Sequence, residues 1–436
     1  MLYAQADSYR SDGAINRATN LMRYAIYDFQ RQLLRPAAAA FAHAEQVAKS
    51  ERYIFSGTPL GRLQSAWFES AHRLLKSYPK QGYAYADVKI GERKYPVTES
   101  IVARKSFANL LHFRRQGLPN NAPKVLFVAA ISGHHATLSK ETYEAFLPDH
   151  NVYVTDWEDA RNAPTRDGKF GFEEYVSYLI DFLQVTGTNT HVFAICQATV
   201  AALVATAVMA EEKSVNRPRS LTMLAGPIDI RVNSNELLER SQLMKKFKGI
   251  LKAAAIHPVP GRFAGAGRKV YPGVMQISGF MSMNKRMHLA KHIQFFKDVY
   301  QGNEDSAQKH RDFYDEYFAI VDMDADFYLE TLERIFMDQQ LPKGIMRYQG
   351  KLVDCGHIVD VPILTLEGAD DDMVSVGQTQ AALDLCHALP NEMKQAHVQA
   401  GVGHYGIFKG DLFRQEVAPL AKRFIKKSLR QKRVDI

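Results

Sequence analysis

Three residues of this chain are of the right types for nucleophilic chemistry, and each stands at the end of an apolar run. Cys196 follows Val192-Phe-Ala-Ile195 and precedes Gln197 and the small, apolar stretch Ala198–Ala210. That order reads as strand, sharp turn and buried helix, with a thiol at the apex. Ala194 and Ala198, flanking the thiol, are small enough to let strand and helix approach closely. A thiol beside a helix start is also biased toward thiolate by the helix dipole. Most free cysteines in such joints only pack, so a catalytic thiol needs a base, and the base an orienting acid. Gly368-Ala-Asp-Asp371-Asp372 closes an apolar run that begins at Val361, and Gly401-Val-Gly-His404-Tyr-Gly406 follows a strand-like run from Lys394. The glycines around the histidine permit a tight loop that turns its ring back over the strands. His404 is the expected base and Asp371 the expected orienter, with Asp370, Asp372 and Asp229 as rival acids. An oxyanion would need two backbone donors. Gln197 is placed to give one, and the loop Ser132-Gly133-His134 the other. His134-His135 has no carboxylate at ligand spacing, so no metal is expected.

These groups must be held by elements of known kind. Strand signals run from Tyr83 to Ile90, Tyr95 to Ala103 and Phe107 to Phe113, the first two as a hairpin. Further strands at Lys124–Ala130, Val152–Trp157, Thr190–Ile195, Leu221–Gly226, Val361–Gly368 and Lys394–Ala400 alternate with helical patterns, which indicates a mainly parallel sheet covered on both faces. Nucleophile, acid and histidine in that chain order are the layout of an α/β-hydrolase fold. Residues 83–230 and 354–436 are assigned to this core. Residues 1–82 form an N-terminal extension, polar and loose as far as Leu21. It continues as a helix from Met22 that Pro36 breaks or bends, then a second helix over Leu60–Ser77 with Leu63, Trp67, Ala71 and Leu74 toward the core. Residues 231–353, helical and rich in methionine and aromatics, are expected to form a lid. Trp157, Met281 and Met283 are the expected substrate contacts.

Composition excludes several classes. The chain of 436 residues is 46% apolar and 11% aromatic, enough to bury a full core. Its three cysteines are too few and scattered for a disulfide framework or zinc site, and imply a reducing compartment. Met1–Asn20 carries no apolar run of the secretory kind, and Ala198–Ala210 is too short to span a bilayer. The net charge of +8 owes part to the tail Lys422–Arg433, but no nucleic-acid motif or aromatic stacking set accompanies it.

The chain resembles the intracellular poly(3-hydroxybutyrate) depolymerases from about Met22 to about Lys426. The resemblance rests on SGHHATL from Ser132, VYVTDWEDAR from Val152, ICQATV from Ile195, GPID from Gly226, YPG from Tyr271, HRDFYDEY from His310, LEGADDD from Leu366 and GHYGIF from Gly403. It implies a cysteine nucleophile acting on amorphous storage-polyester granules in the cytoplasm, with Cys196, Asp371 and His404 as the triad. No cofactor is implied, although the thiol of coenzyme A is an alternative to water as acyl acceptor. Two departures are visible. The residues before Met22 have no counterpart, and the turn reads Cys196-Gln-Ala198 where the family has Cys-Gln-Pro or similar, a change that leaves the thiol in place. A polyester synthase, a generic ester or thioester hydrolase and a non-catalytic granule-coat protein are the rival readings. The synthases' glycine-flanked cysteine box is missing.

Overall fold

The computed structural model describes residues 4–430 apart from 235–238, 240–242, 244 and 247. The chain divides into two compact units, one of Met1–Gln81, Gly133–His135 and Ala253–Asp322, the other of Gly82–Ser132, Ala136–Lys252 and Met323–Ile436.

The second unit is built on a nine-stranded sheet. Its strands are β1 (Asp87–Ile90), β2 (Arg93–Lys105), β3 (Ala108–Arg115), β4 (Lys124–Val128), β5 (Asn151–Trp157), β6 (Thr190–Ile195), β7 (Leu221–Leu224), β8 (Ile363–Gly368) and β9 (Lys394–Gln399). They lie in the order β1-β2-β3-β5-β4-β6-β7-β8-β9. The first three strands join antiparallel, as the hairpin signals predict, and β5-β4-β6-β7-β8-β9 are parallel. This is an α/β-hydrolase architecture. Chain order reverses between β4 and β6, and ligand sites of open parallel sheets collect where the strand ends diverge in this way. β6, β7 and β8 are buried along their whole length, as central strands covered on both faces must be. The helix Ala198–Glu211 is buried from Ala198 to Met209. Its alanines at 198, 201, 202 and 205 let it lie close to the sheet.

The helical unit differs from expectation in its extent. One helix runs Ala4–Lys49, through Pro36 and through the stretch expected to be loose. Pro36 removes one N–H from the ladder without ending the helix, because the strong helix formers Gln32–Arg35 before it and the run Ala37–Ala40 after it propagate the helix. This helix belongs with residues 253–322 rather than forming a separate extension, so the expected lid 231–353 is divided between the two units. Tyr24 donates to the buried Asp322 carboxylate, whose other oxygen accepts from the Gly273 N–H at 2.9 Å. Glu69, buried in the second helix (Pro59–Leu75), accepts from Arg311 at 2.6 and 3.1 Å and from Lys49 at 2.8 Å. Burial raises its pKa, but these cations outweigh burial and hold the carboxyl below its usual range.

The second helix also faces the other way from its predicted stripe. Gly61, Ser65, Ala66 and Glu69 are buried, while Trp67 is 52% and Leu74 75% exposed. Small residues decide this. A Cβ on Gly61 would lie 2.1 Å from the Phe55 carbonyl oxygen, so the small side is the one that can close on its neighbours. Trp67 instead leans on the ring edge of Phe41, with centroids 5.3 Å apart. Among the described residues no helix is long and apolar enough to cross a membrane.

Candidate active site

β6 ends at Ile195 and the next residue, Cys196, has φ +54°. An L-residue in the left-handed region is strained by about 1 kcal/mol, and here three contacts impose the strain. The Cys196 N–H donates to the Leu224 carbonyl at 2.7 Å, and its own carbonyl accepts from the N–H and hydroxyl of Thr199 at 3.0 and 2.8 Å. The chain thus turns from strand to helix within one residue. Ala194 and Ala198 are fully buried beside the turn, while Cys196 stays half-buried.

The acid and the histidine meet at neighbouring strand ends. Asp371 lies just past β8 and His404 in the loop after β9. The His404 Nδ1 is 2.8 Å from Asp371 Oδ2, with the Asp371 side chain fully buried and that of His404 4% exposed. The other Asp371 oxygen accepts from the N–H groups of Met373 and Val374, each at 2.8 Å. The carboxylate is therefore fixed before it meets the ring. Engaging Nδ1 leaves Nε2 for the thiol. Burial drives the imidazole toward its neutral form. The Asp371 carboxylate and the Cys196 thiol outweigh burial and raise its pKa well above the ordinary value.

Of the rival acids, Asp229 is taken by Arg231, which contacts its two oxygens at 2.8 and 2.7 Å, and Asp370 and Asp372 are exposed. The glycines near the site are needed for clearance. A Cβ on Gly368 would come within 2.6 Å of the Val402 carbonyl, which accepts from the Asp370 N–H at 3.0 Å. That close approach holds the acid loop and the histidine loop together.

Gln197 follows the thiol and caps the helix Ala198–Glu211. No acceptor for its backbone N–H is present among the described residues, and its side chain donates to Thr331 at 3.3 Å. Such an N–H is what an oxyanion requires. Ser132 lies in the sheet unit, but Gly133 and His134 group with the helical unit. There the Gly133 carbonyl accepts from the Val321 N–H at 2.9 Å, His134 bridges to Ile320, and its ring stacks on Phe280.

Trp157, expected at the substrate, is a core side chain. It is fully buried, its indole N–H donates to the Ala129 carbonyl at 2.8 Å, and Tyr175 packs on its face. A strand end in a parallel sheet carries both cleft and core residues, and the sequence does not separate them. Met281 lines a cavity of the helical unit. The side chain of Met283 lies outside the described residues.

Two residues near the site escaped the sequence reading. Glu367, buried on β8, accepts from the N–H groups of Gly377, Thr379 and Gln380 at 2.8, 2.7 and 3.1 Å. Thr379 in turn exchanges hydrogen bonds with Gly226 through its hydroxyl. Together they tie the segment after Asp371 to the end of β7. A charged residue inside an otherwise apolar strand run was the available signal for Glu367.

The family described as the PHB de-polymerase C-terminus matches residues 225–428, which contain Asp371 and His404 but begin after Cys196. The matched residues span β8, β9 and the 253–322 segment of the helical unit. No curated protein matches the sequence. Solved structures of similar fold include a putative lipase from Acinetobacter baumannii, at 12% identity over 76% of this chain and 93% of that one, TM-score 0.44. They also include a soluble variant of monoglyceride lipase from Saccharomyces cerevisiae, at 11% identity over 81% and 100%, TM-score 0.44. The α/β hydrolase GrgF from Penicillium is similar at 12% identity over 76% and 99%, TM-score 0.43.

Proposed function

We propose that the protein cleaves ester bonds of a poly(3-hydroxybutyrate)-type storage polyester through a thioester on Cys196. The observation that carries this reading is the bond from the buried Asp371 to His404, together with a thiol held at φ +54° whose charge raises the pKa of that imidazole. The match of residues 225–428 to the PHB depolymerase domain supports the choice of substrate.

The steps follow from the residues present. His404 Nε2 takes the Cys196 proton, and Asp371 stabilises the imidazolium from the Nδ1 side. The thiolate attacks the ester carbonyl carbon, and the Gln197 N–H, with a donor at Ser132, holds the oxyanion. The tetrahedral adduct collapses, the alkoxy C–O bond breaks, and His404 protonates the departing hydroxyl. Water, deprotonated by His404, then attacks the thioester, releases a carboxylic acid and restores the thiol. The thiol of coenzyme A would release an acyl-CoA by the same route. The working location in this reading is the surface of amorphous granules in the cytoplasm.

Native amorphous granules incubated with the protein, with and without coenzyme A, test the reading. Soluble hydroxy acids without coenzyme A indicate hydrolysis, and acyl-CoA formed only in its presence indicates thiolysis. A quenched reaction should carry a hydroxylamine-sensitive acyl group on Cys196. Polymer formed from 3-hydroxybutyryl-CoA would overturn the reading in favour of a synthase.

A further inference from the structure

The helical unit contains a cavity of about 420 Å³ whose walls come entirely from that unit. Its volume is in the lower part of the range for small-molecule sites. One wall is apolar by design of the helix Gly273–Met283: Val274, Ile277 and Met281 stand three and four residues apart, on one face. The other end is polar, and some of its polar groups find no partner among the described residues. Both ring nitrogens of His310 and the hydroxyl of Ser70 are buried without a hydrogen-bond partner among the described residues. Buried polar atoms are nearly always bonded, so these await a partner.

The charge around that end is unbalanced. Arg31 and Arg73 line the cavity, and among the described lining residues none is acidic. Arg73 and Lys76 share one carboxylate oxygen of Asp315, at 2.8 and 2.9 Å, and among the described residues Arg31 bonds only the Lys76 carbonyl, at 3.3 Å. Three cations thus face one carboxylate. His310, stacked on Phe295 with centroids 4.3 Å apart, feels the same field. Burial first, then His292, Arg73, Lys291 and Arg311, lower its pKa to about 3, so it stands neutral beside uncompensated positive charge.

We propose that this cavity binds a carboxylate joined to a short hydrocarbon chain. The chain lies along Val274, Ile277 and Met281, and the carboxylate accepts from Arg31, His310 and Ser70. An arginine–carboxylate contact of this kind is strong because both groups are charged and planar. None of the triad residues lines the cavity, so the inference stands apart from the proposed ester cleavage.

Calorimetric titration of the full chain with decanoate, with decanol and methyl decanoate as uncharged controls, tests it. Decanoate should bind at one site, at least tenfold more tightly than either control. Arg31→Gln and His310→Leu should each weaken decanoate by about tenfold or more and leave decanol unchanged. Ile277→Trp should abolish binding of all three, with far-UV dichroism and the thermal melt of each variant recorded as fold controls. Equal affinity for decanoate and decanol would overturn the proposal. So would decanoate binding that survives both Arg31→Gln and His310→Leu in folded protein. Because the readout is binding, loss of ester cleavage in a Cys196→Ala chain leaves it unaffected.

Discussion

At the scale of single residues, the proposed chemistry assigns three side chains of unequal burial to unequal roles. Cys196→Ala should lower polyester turnover roughly a thousandfold or more, the loss typical of a missing triad nucleophile, and leave the fold intact. Cys355→Ala and Cys386→Ala should stay active, since both thiols are buried and lie outside the triad. Asp371→Asn should lower turnover by roughly a thousandfold, because the amide no longer stabilises the imidazolium. Asp229→Asn breaks only the pair with Arg231 and should cost far less. Initial rates on native granules separate these outcomes, and a larger loss from Asp229→Asn would shift the acid assignment. The turn at Cys196 and the pairing of Asp371 with His404 were legible because each group follows an apolar run and has small or glycine neighbours. Which of the adjacent carboxylates turns inward was not legible. That depends on the N–H groups of Met373 and Val374, which donate to Asp371. Trp157 misled for a related reason, since its indole hydrogen bond lies to a backbone carbonyl that no side-chain pattern reveals.

At the scale of elements, clearance and buried charge are the sensitive points. A Cβ on Gly226 would meet the Thr199 side chain at 1.8 Å, and Thr199 holds the Cys196 carbonyl. Gly226→Ala should therefore destabilise the chain by about 1–3 kcal/mol and also lower turnover, read by urea unfolding and granule assays on the same sample. Activity at the wild-type level would show that the turn at Cys196 does not depend on Thr199. The helical unit should be acid-sensitive. Glu69 has a lowered pKa in the folded state, so its contribution is present above the unfolded carboxyl value and lost as pH falls through the folded one. His310 has a lowered pKa as well, so the unfolded chain takes up a proton first and stability falls as pH drops from about 6.5 toward about 3. The urea midpoint should decline over this range, and Glu69→Gln should flatten the lower part of the decline. The strands of the sheet were readable because alternation and apolar runs report burial directly. The helical unit was not, because its contacts join segments far apart in the chain, such as Tyr24 with Asp322 and Glu69 with Arg311. Pro36 and the tryptophan of the second helix also pointed away from the observed packing, where small residues set the contact face.

At the scale of the whole molecule, the proposed chemistry limits the physical state of the polymer. A chain end in an amorphous granule is mobile and can be bent toward a thiol at a strand end. A chain in a crystal must first be pulled from its lattice, and a thiol–imidazole site supplies no free energy for that step. Native granules should lose turbidity at rates at least about tenfold above the release of soluble acid from crystalline film, since each segment drawn from the lattice forfeits its packing. Equal rates on the two materials would contradict this account of the substrate.

The left-handed backbone at position 196 has a further implication for selection. Glycine occupies such a conformation without steric penalty, so Cys196→Gly should raise the melting temperature of the chain while eliminating ester cleavage. Any search for heat-resistant variants that scores folding alone would then favour inactive proteins at this position. Durability and turnover compete for one residue, and a screen must measure both to keep the thiol.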